Sequence, residues 1–143
     1  MVRVLCCGTF DLLHPGHRDF LRQAAALGDR LCVVVARDDN VERLKGRRPI
    51  EDQDARLAKI SGLEEVDEAY LGYPGRNFLR IVADIEPQTI ALGYDQKAPP
   101  GLQEHFPQCR IVVLEPHRPD KYKTTLYRAR LEESNSAEPG ASG

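Results

Sequence analysis

The chain has 143 residues, 29% charged and 41% hydrophobic, with a formal net charge of −2. That length suits one domain with a core of useful size, and the near-neutral balance sets aside a broad basic field for nucleic acid. The apolar run at Val2 is too short for a signal peptide and no later run could span a membrane, so a cytoplasmic protein with no membrane partner is expected.

Strand and helix signals alternate along the chain. Val2 to Cys7 reads as a short buried strand, and Phe20, Leu21, Ala24, Ala25 and Leu27 follow at helical spacing. Leu31 to Ala36 is a continuous apolar, β-branched run, the pattern of a central parallel strand buried on both faces. Arg37 to Asn40 offers N-caps for a short helix through Val41 and Leu44, and Lys45-Gly46-Arg47-Arg48-Pro49 reads as a basic turn. Glu51 to Ser61 has helical spacing at Ala55, Leu57 and Ala58 and ends before Gly62. Val66 to Leu71 is a weaker third strand. Arg76 to Ile85 is amphipathic, with Phe78, Leu79, Ile81 and Val82 inward, and it stops before Pro87. Thr89 to Leu92 and Ile111 to Leu114 complete five strands, and Thr124 to Glu133 reads as a closing helix. The expected fold is α/β, a Rossmann-like doubly wound five-stranded parallel sheet in a single domain over 1–133. Residues 134–143 are small and polar and read as a disordered tail.

Four cysteines, Cys6, Cys7, Cys32 and Cys109, fall at or in apolar runs without Cys-x-x-Cys spacing. They read as buried hydrophobes in a reducing compartment rather than zinc ligands. Cys7, directly before Gly8, is the candidate for a redox-sensitive thiol.

Between the first strand and the first helix stands Gly8-Thr9-Phe10-Asp11-Leu12-Leu13-His14-Pro15-Gly16-His17. A strand, a glycine-bearing loop and a helix N-terminus in this order form a phosphate cradle, where unpaired N–H groups and the helix dipole favour an anion. Pro15 disfavours helical geometry at His14 and pre-sets the turn, so both imidazoles are expected to converge there. The alternative is a capped turn with two exposed histidines. The other polar clusters, Asp38 to Arg48, Gly93 to Gln96 and His117 to Thr125, also follow strands. In a doubly wound sheet they can share one crevice beyond the strand ends.

Gly-Thr-Phe-Asp-x-x-His-x-Gly-His at this junction resembles the signature of the nucleotidylyltransferase superfamily, whose two histidines hold the α-phosphate region of a nucleoside triphosphate. The resemblance is domain-wide, from Val2 to Arg130. Ala-Leu-Gly-Tyr-Asp-Gln (Ala91 to Gln96), Val-Ala-Arg-Asp (Val35 to Asp38) and Lys-Gly-Arg-Arg-Pro-Ile (Lys45 to Ile50) resemble the archaeal-type FAD synthase branch more than the glycerol-3-phosphate cytidylyltransferases. That branch moves AMP from ATP to FMN, releases pyrophosphate and uses a divalent metal.

On this resemblance His14, His17, Lys45 and Arg56 are the candidate catalytic residues. Gly8, Thr9, Phe10, Asp11, His14, His17, Gly93, Asp95, Lys123, Thr124 and Thr125 are the candidate nucleotide contacts. Arg47 and Arg48 could serve phosphate or solvent. No carboxylate cluster has the spacing of a dedicated metal site, so Mg²⁺ is expected to arrive on the triphosphate, with Asp11 as the nearest carboxylate or else a structural cap. The partners implied are ATP and FMN or another phosphate acceptor, with room for a homodimer. Two departures stand out. Tyr122-Lys123-Thr124-Thr125 replaces the superfamily's Ile-Ser-Thr-Ser/Thr, and Glu64-Glu65-Val66-Asp67 lacks the arginine that cytidylyltransferases carry. Nucleotidyl transfer to a polyol or sugar phosphate, and a non-catalytic nucleotide-binding domain, are the alternatives.

Overall fold

Apolar side chains pointing both ways drive a strand to the middle of a sheet, and β1 (Arg3–Gly8) is such a strand. Val4 and Cys6 join one core cluster, while Leu5 and Cys7 join the other. β2 (Arg30–Val35) pairs parallel on one side of β1 and β4 (Thr89–Leu92) on the other. β3 (Glu68–Leu71) and β5 (Arg110–Val113) complete a parallel sheet of order β3-β2-β1-β4-β5. This computed structural model describes residues 1–75 and 77–116. The expected closing helix Thr124–Glu133, the tail at 134–143, His117, Arg76 and the candidates Lys123, Thr124 and Thr125 lie outside the described residues.

Helices cover both faces. α1 (Pro15–Ala25) and α3 (Gln53–Ser61) bring Phe20, Leu21, Ala24 and Ile60 onto the Val4 face. α4 (Phe78–Ile85) and α5 (Leu102–His105) bring Ile81, Val82 and Leu102 onto the Leu5 face. α2 (Asp38–Lys45) follows β2 directly, and Gly46 ends it in a left-handed conformation at φ 83°. After β3 the chain crosses β2 and β1 to reach β4, so strand order switches between β1 and β4. Loops leaving both strands meet there, the usual place for a ligand in such a sheet.

The structure revises several sequence expectations. Lys45 is the last residue of α2 rather than part of a loose turn. On α3 the inward positions are Arg56 and Ile60, while Ala55 and Ala58 face solvent. α3 turns this way because the buried Arg56 guanidinium finds three acceptors. α4 begins at Phe78, with Ile81 and Val82 buried and Phe78 and Leu79 packed partly against them. The single turn of α5 is not apparent from sequence, since Pro99-Pro100-Gly101 precedes it and no apolar period is long enough to reveal it.

Candidate active site

His14 sits at the N-cap of α1 with extended backbone, φ −138° and ψ 174°, as expected before a proline. Its Nδ1 accepts the Gly16 N–H at 3.1 Å, and His17 Nδ1 accepts the His14 N–H at 3.2 Å. The two bonds form a capping box made of imidazoles. The rings stack with centroids 3.8 Å apart and an interplanar angle of 24°. An Nδ1 that accepts carries no proton, so each neutral ring holds its proton on Nε2. Both histidines are thereby set as Nε2–H donors. Of the first-turn N–H groups, that of Gly16 is taken up by His14.

The loop before them is tightly held. Phe10 is 2% exposed and packs edge-on against His17 at 5.5 Å and against Phe20. Its side chain is a core support for the histidine rather than a nucleotide contact. Phe10 and Leu12 both have positive φ, 54° and 50°, which costs roughly 1–2 kcal/mol for each non-glycine residue. Distant groups hold the loop against that strain. Asp11 Oδ2 and Oδ1 accept the Ile50 and Glu51 N–H groups at 2.8 and 2.9 Å, and Glu51 Oε1 accepts the Leu12 N–H at 3.0 Å. Asp11 is therefore a tie between two segments, and both its oxygens are engaged.

Arg56 is the main correction. It is 0% exposed, and its guanidinium donates to Thr9 O at 2.8 Å, Glu51 O at 3.0 Å and Asp38 Oδ1 at 2.7 Å. It knits the segments after β1 and β2 to the start of α3 and does not project toward a triphosphate. Asp38 is fixed further by a reciprocal pair with Gln53, the Asp38 N–H donating to Gln53 Oε1 and the Gln53 N–H to Asp38 Oδ2. Burial raises the Asp38 carboxyl pKa, but the Arg56 guanidinium and the Gln53 N–H outweigh it and hold the carboxyl below its ordinary range.

Lys45 is an exposed cation at the end of α2 whose charge couples to this loop. Burial pulls its pKa down, and the carboxylates of Asp95 and Asp11 oppose that pull. The ammonium thus feels both the β1 loop and the β4 loop. Arg47 and Arg48 are both exposed, and Arg48 turns back along α2 to Asp39 and Glu42 at 3.0 and 3.2 Å. After β4, Gly93 is buried and Asp95 exposed. Gln96, which the sequence places in this cluster without assigning it a role, closes the switch point: its Oε1 accepts the Gly93 N–H at 2.7 Å and its Nε2 donates to Cys7 O at 3.1 Å. Burial pushes the pKa of the Cys7 thiol far above the ordinary thiol value, which disfavours the reactive thiolate there. Among the described residues, no group of three or more His, Cys, Asp or Glu side chains is placed to hold a metal ion. No described helix is long and apolar enough to cross a membrane.

A parallel sheet of this order, with a histidine pair capping the helix after β1, defines a nucleotidylyltransferase-type architecture. The Cytidylyltransferase-like family model matches residues 5–130, and the chain belongs to that family. Within it, the chain is similar to proteins named FAD synthase. That of Aciduliprofundum boonei is 53% identical over 97 residues, covering 68% of this chain and 64% of that protein, so the match spans somewhat under two thirds of its length. That of Thermococcus kodakarensis is 37% identical over 139 residues, covering 93% of each. A solved structure from Thermoplasma volcanium, described as a lipopolysaccharide core biosynthesis protein, superposes with a TM-score of 0.71 at 41% identity, covering 82% of this chain and 97% of that one.

Proposed function

We propose that the chain transfers AMP from ATP to FMN, giving FAD and pyrophosphate. One observation carries the reading: a tautomer-locked pair of Nε2–H donors capping the helix after β1, in a chain whose relatives are named FAD synthase. A phosphate oxygen of FMN attacks the α-phosphorus of ATP. The bond from that phosphorus to the bridging oxygen of the β-phosphate breaks, and pyrophosphate leaves with the electron pair. The attacking oxygen is already ionised, so no general base is needed. His14 and His17 donate to the α-phosphate oxygens where negative charge builds, and Lys45 attracts the β- and γ-phosphates. Gly8, Thr9, Gly93 and Asp95 border the nucleotide, and Lys123, Thr124 and Thr125 are proposed to extend the phosphate site. Asp11, Phe10 and Arg56 act as positioning residues.

A divalent metal carried by ATP would neutralise charge on the triphosphate, with no dedicated set of protein ligands. Asp11 is spent on backbone N–H groups, which supports a metal carried by the nucleotide rather than by the protein. The protein is read as cytoplasmic, its four cysteines unbridged, with ATP and FMN as partners. Pyrophosphate release with ATP and FMN is the test. Turnover with CTP and glycerol 3-phosphate, or with ATP and a heptose phosphate, in place of ATP and FMN would overturn it. Activity should vanish on chelation, while calorimetry of the nucleotide-free protein should find weak Mg²⁺ binding; tight, stoichiometric binding would contradict the metal assignment.

A further inference from the structure

The end of β1 borders a second feature, to which none of the phosphate-contacting residues proposed above, other than Gly8, belongs. On the Leu5 face of the sheet, a cleft of about 860 Å³ opens between α2 and α4. Gly8 is part of its lining, so the cleft begins where the histidine loop begins. Tyr73, Phe78, Leu79 and Leu44 line it, and Leu44 is 70% exposed on α2, next to Lys45. An exposed leucine beside the candidate catalytic lysine has no packing role in either core cluster. Arg43, Arg80 and Lys97, all exposed, also line the cleft, and no carboxylate does so among the described residues.

The outer wall is fixed in advance. Asn40 Nδ2 donates to Tyr73 O at 2.9 Å, its Oδ1 accepts the Gly75 N–H at 3.2 Å, and Arg37 Nε donates to Gly72 O at 2.6 Å. Three bonds thus tie the loop after β3 to the start of α2. A preformed apolar slot with cations around it suits a flat, largely apolar ring on an anionic molecule. Its volume falls within the roughly 300–1,000 Å³ of small-molecule sites, and a three-carbon phosphate would leave most of it unfilled.

We infer that this cleft seats the isoalloxazine ring of FMN, with the ribityl phosphate leading toward Gly8 and the histidine pair. The inference rests on the proposed FMN adenylylation and deepens it. Tyr73 and Phe78 supply aromatic faces to the ring. The split between sites follows from one helix: Lys45 serves the triphosphate, and its neighbour Leu44 serves the flavin.

Leu44 is exposed, so replacing it leaves the fold intact and isolates the cleft. Flavin fluorescence and ATP-induced thermal shift would be measured for wild type, Leu44→Glu and Leu44→Gln. A carboxylate on the wall should weaken FMN binding and raise the FMN KM by about tenfold or more, with the ATP thermal shift and ATP KM unchanged. Leu44→Gln should lose less. Riboflavin, which lacks the phosphate, should still quench in wild type and lose that quenching in Leu44→Glu. If wild type binds FMN and Leu44→Glu binds it equally well, the cleft is not the flavin seat. If Leu44→Glu weakens ATP instead, the cleft belongs to the nucleotide and the inference is overturned. If wild type binds no FMN at all, the proposed function itself fails, a different result from either.

Discussion

The two sides of β1 are built on opposite principles. On the Val4 side, the loop before α1 is tied through three of its residues: Asp11 to 50 and 51, Leu12 to Glu51, Thr9 to Arg56. On the Leu5 side, the cleft is walled largely by apolar side chains, and the hydrogen bonds that hold its wall come from Asn40 and Arg37. Phosphoryl chemistry gains from donors that need no reorganisation when charge develops. Recognition of a ring needs shape and apolar area instead. One sheet provides both because the strand-order switch brings its two faces together at a single strand end.

Cutting the hub of the polar side should have the largest effect. Arg56 has no exposed surface and three acceptors, so Arg56→Ala leaves Asp38 buried without its partner and should cost about 3–5 kcal/mol of stability. Urea unfolding would measure it, and a loss within the error of the extrapolation would show that the hub does not hold the loop. Next come the donors themselves. His14→Ala and His17→Ala should each lower kcat by about 10²–10³, as removal of a preorganised donor does. Circular dichroism should find the fold retained; a variant turning over near the wild-type rate would remove that histidine from the mechanism.

The contrast between the two sides also explains what could be read from sequence. The histidine pair is legible because it lies within one turn of one helix, where spacing alone places both rings. The parallel sheet follows from the alternation of strands and helices. Arg56 resembles any other surface cation on a helix, and its three acceptors come from residues 9, 38 and 51. Gln96 joins Cys7 across 89 residues, a distance over which no local pattern carries information. The cleft was still less visible. Tyr73 and Phe78 stand out as aromatics, but only the Asn40 bonds to the backbone of the loop after β3 turn them into a wall.

Gly46 offers a milder probe of the junction between the sides. It closes α2 at φ 83°, and a Cβ there would meet nothing within 4 Å. Gly46→Ala should therefore cost only the conformational strain of a left-handed alanine, about 1 kcal/mol by thermal unfolding. Turnover should change little, because the end of α2 and hence Lys45 stay in place. A large rate loss with unchanged stability would mean that the helix end moves during the reaction.

The smallest effect expected is the acid dependence set by Asp38. Its folded carboxyl titrates below its ordinary value of 3.8, because the Arg56 and Gln53 bonds outweigh the cost of burial. A depressed carboxyl adds stability that is fully present above the unfolded pKa and is lost as pH falls through the folded one. Unfolding midpoints should therefore be insensitive to Asp38 near neutrality and begin to fall below about pH 4. Asp38→Asn should start lower, since a neutral amide pairs less well with Arg56, and should show a shallower acid limb. Other carboxylates with lowered values, Glu51, Glu65 and Glu68, will steepen the limb in both proteins. The informative quantity is the difference between the two slopes. Parallel limbs would mean that Arg56 holds its place through the Thr9 and Glu51 carbonyls alone, and the charge on Asp38 would then have no part in keeping the histidine loop closed.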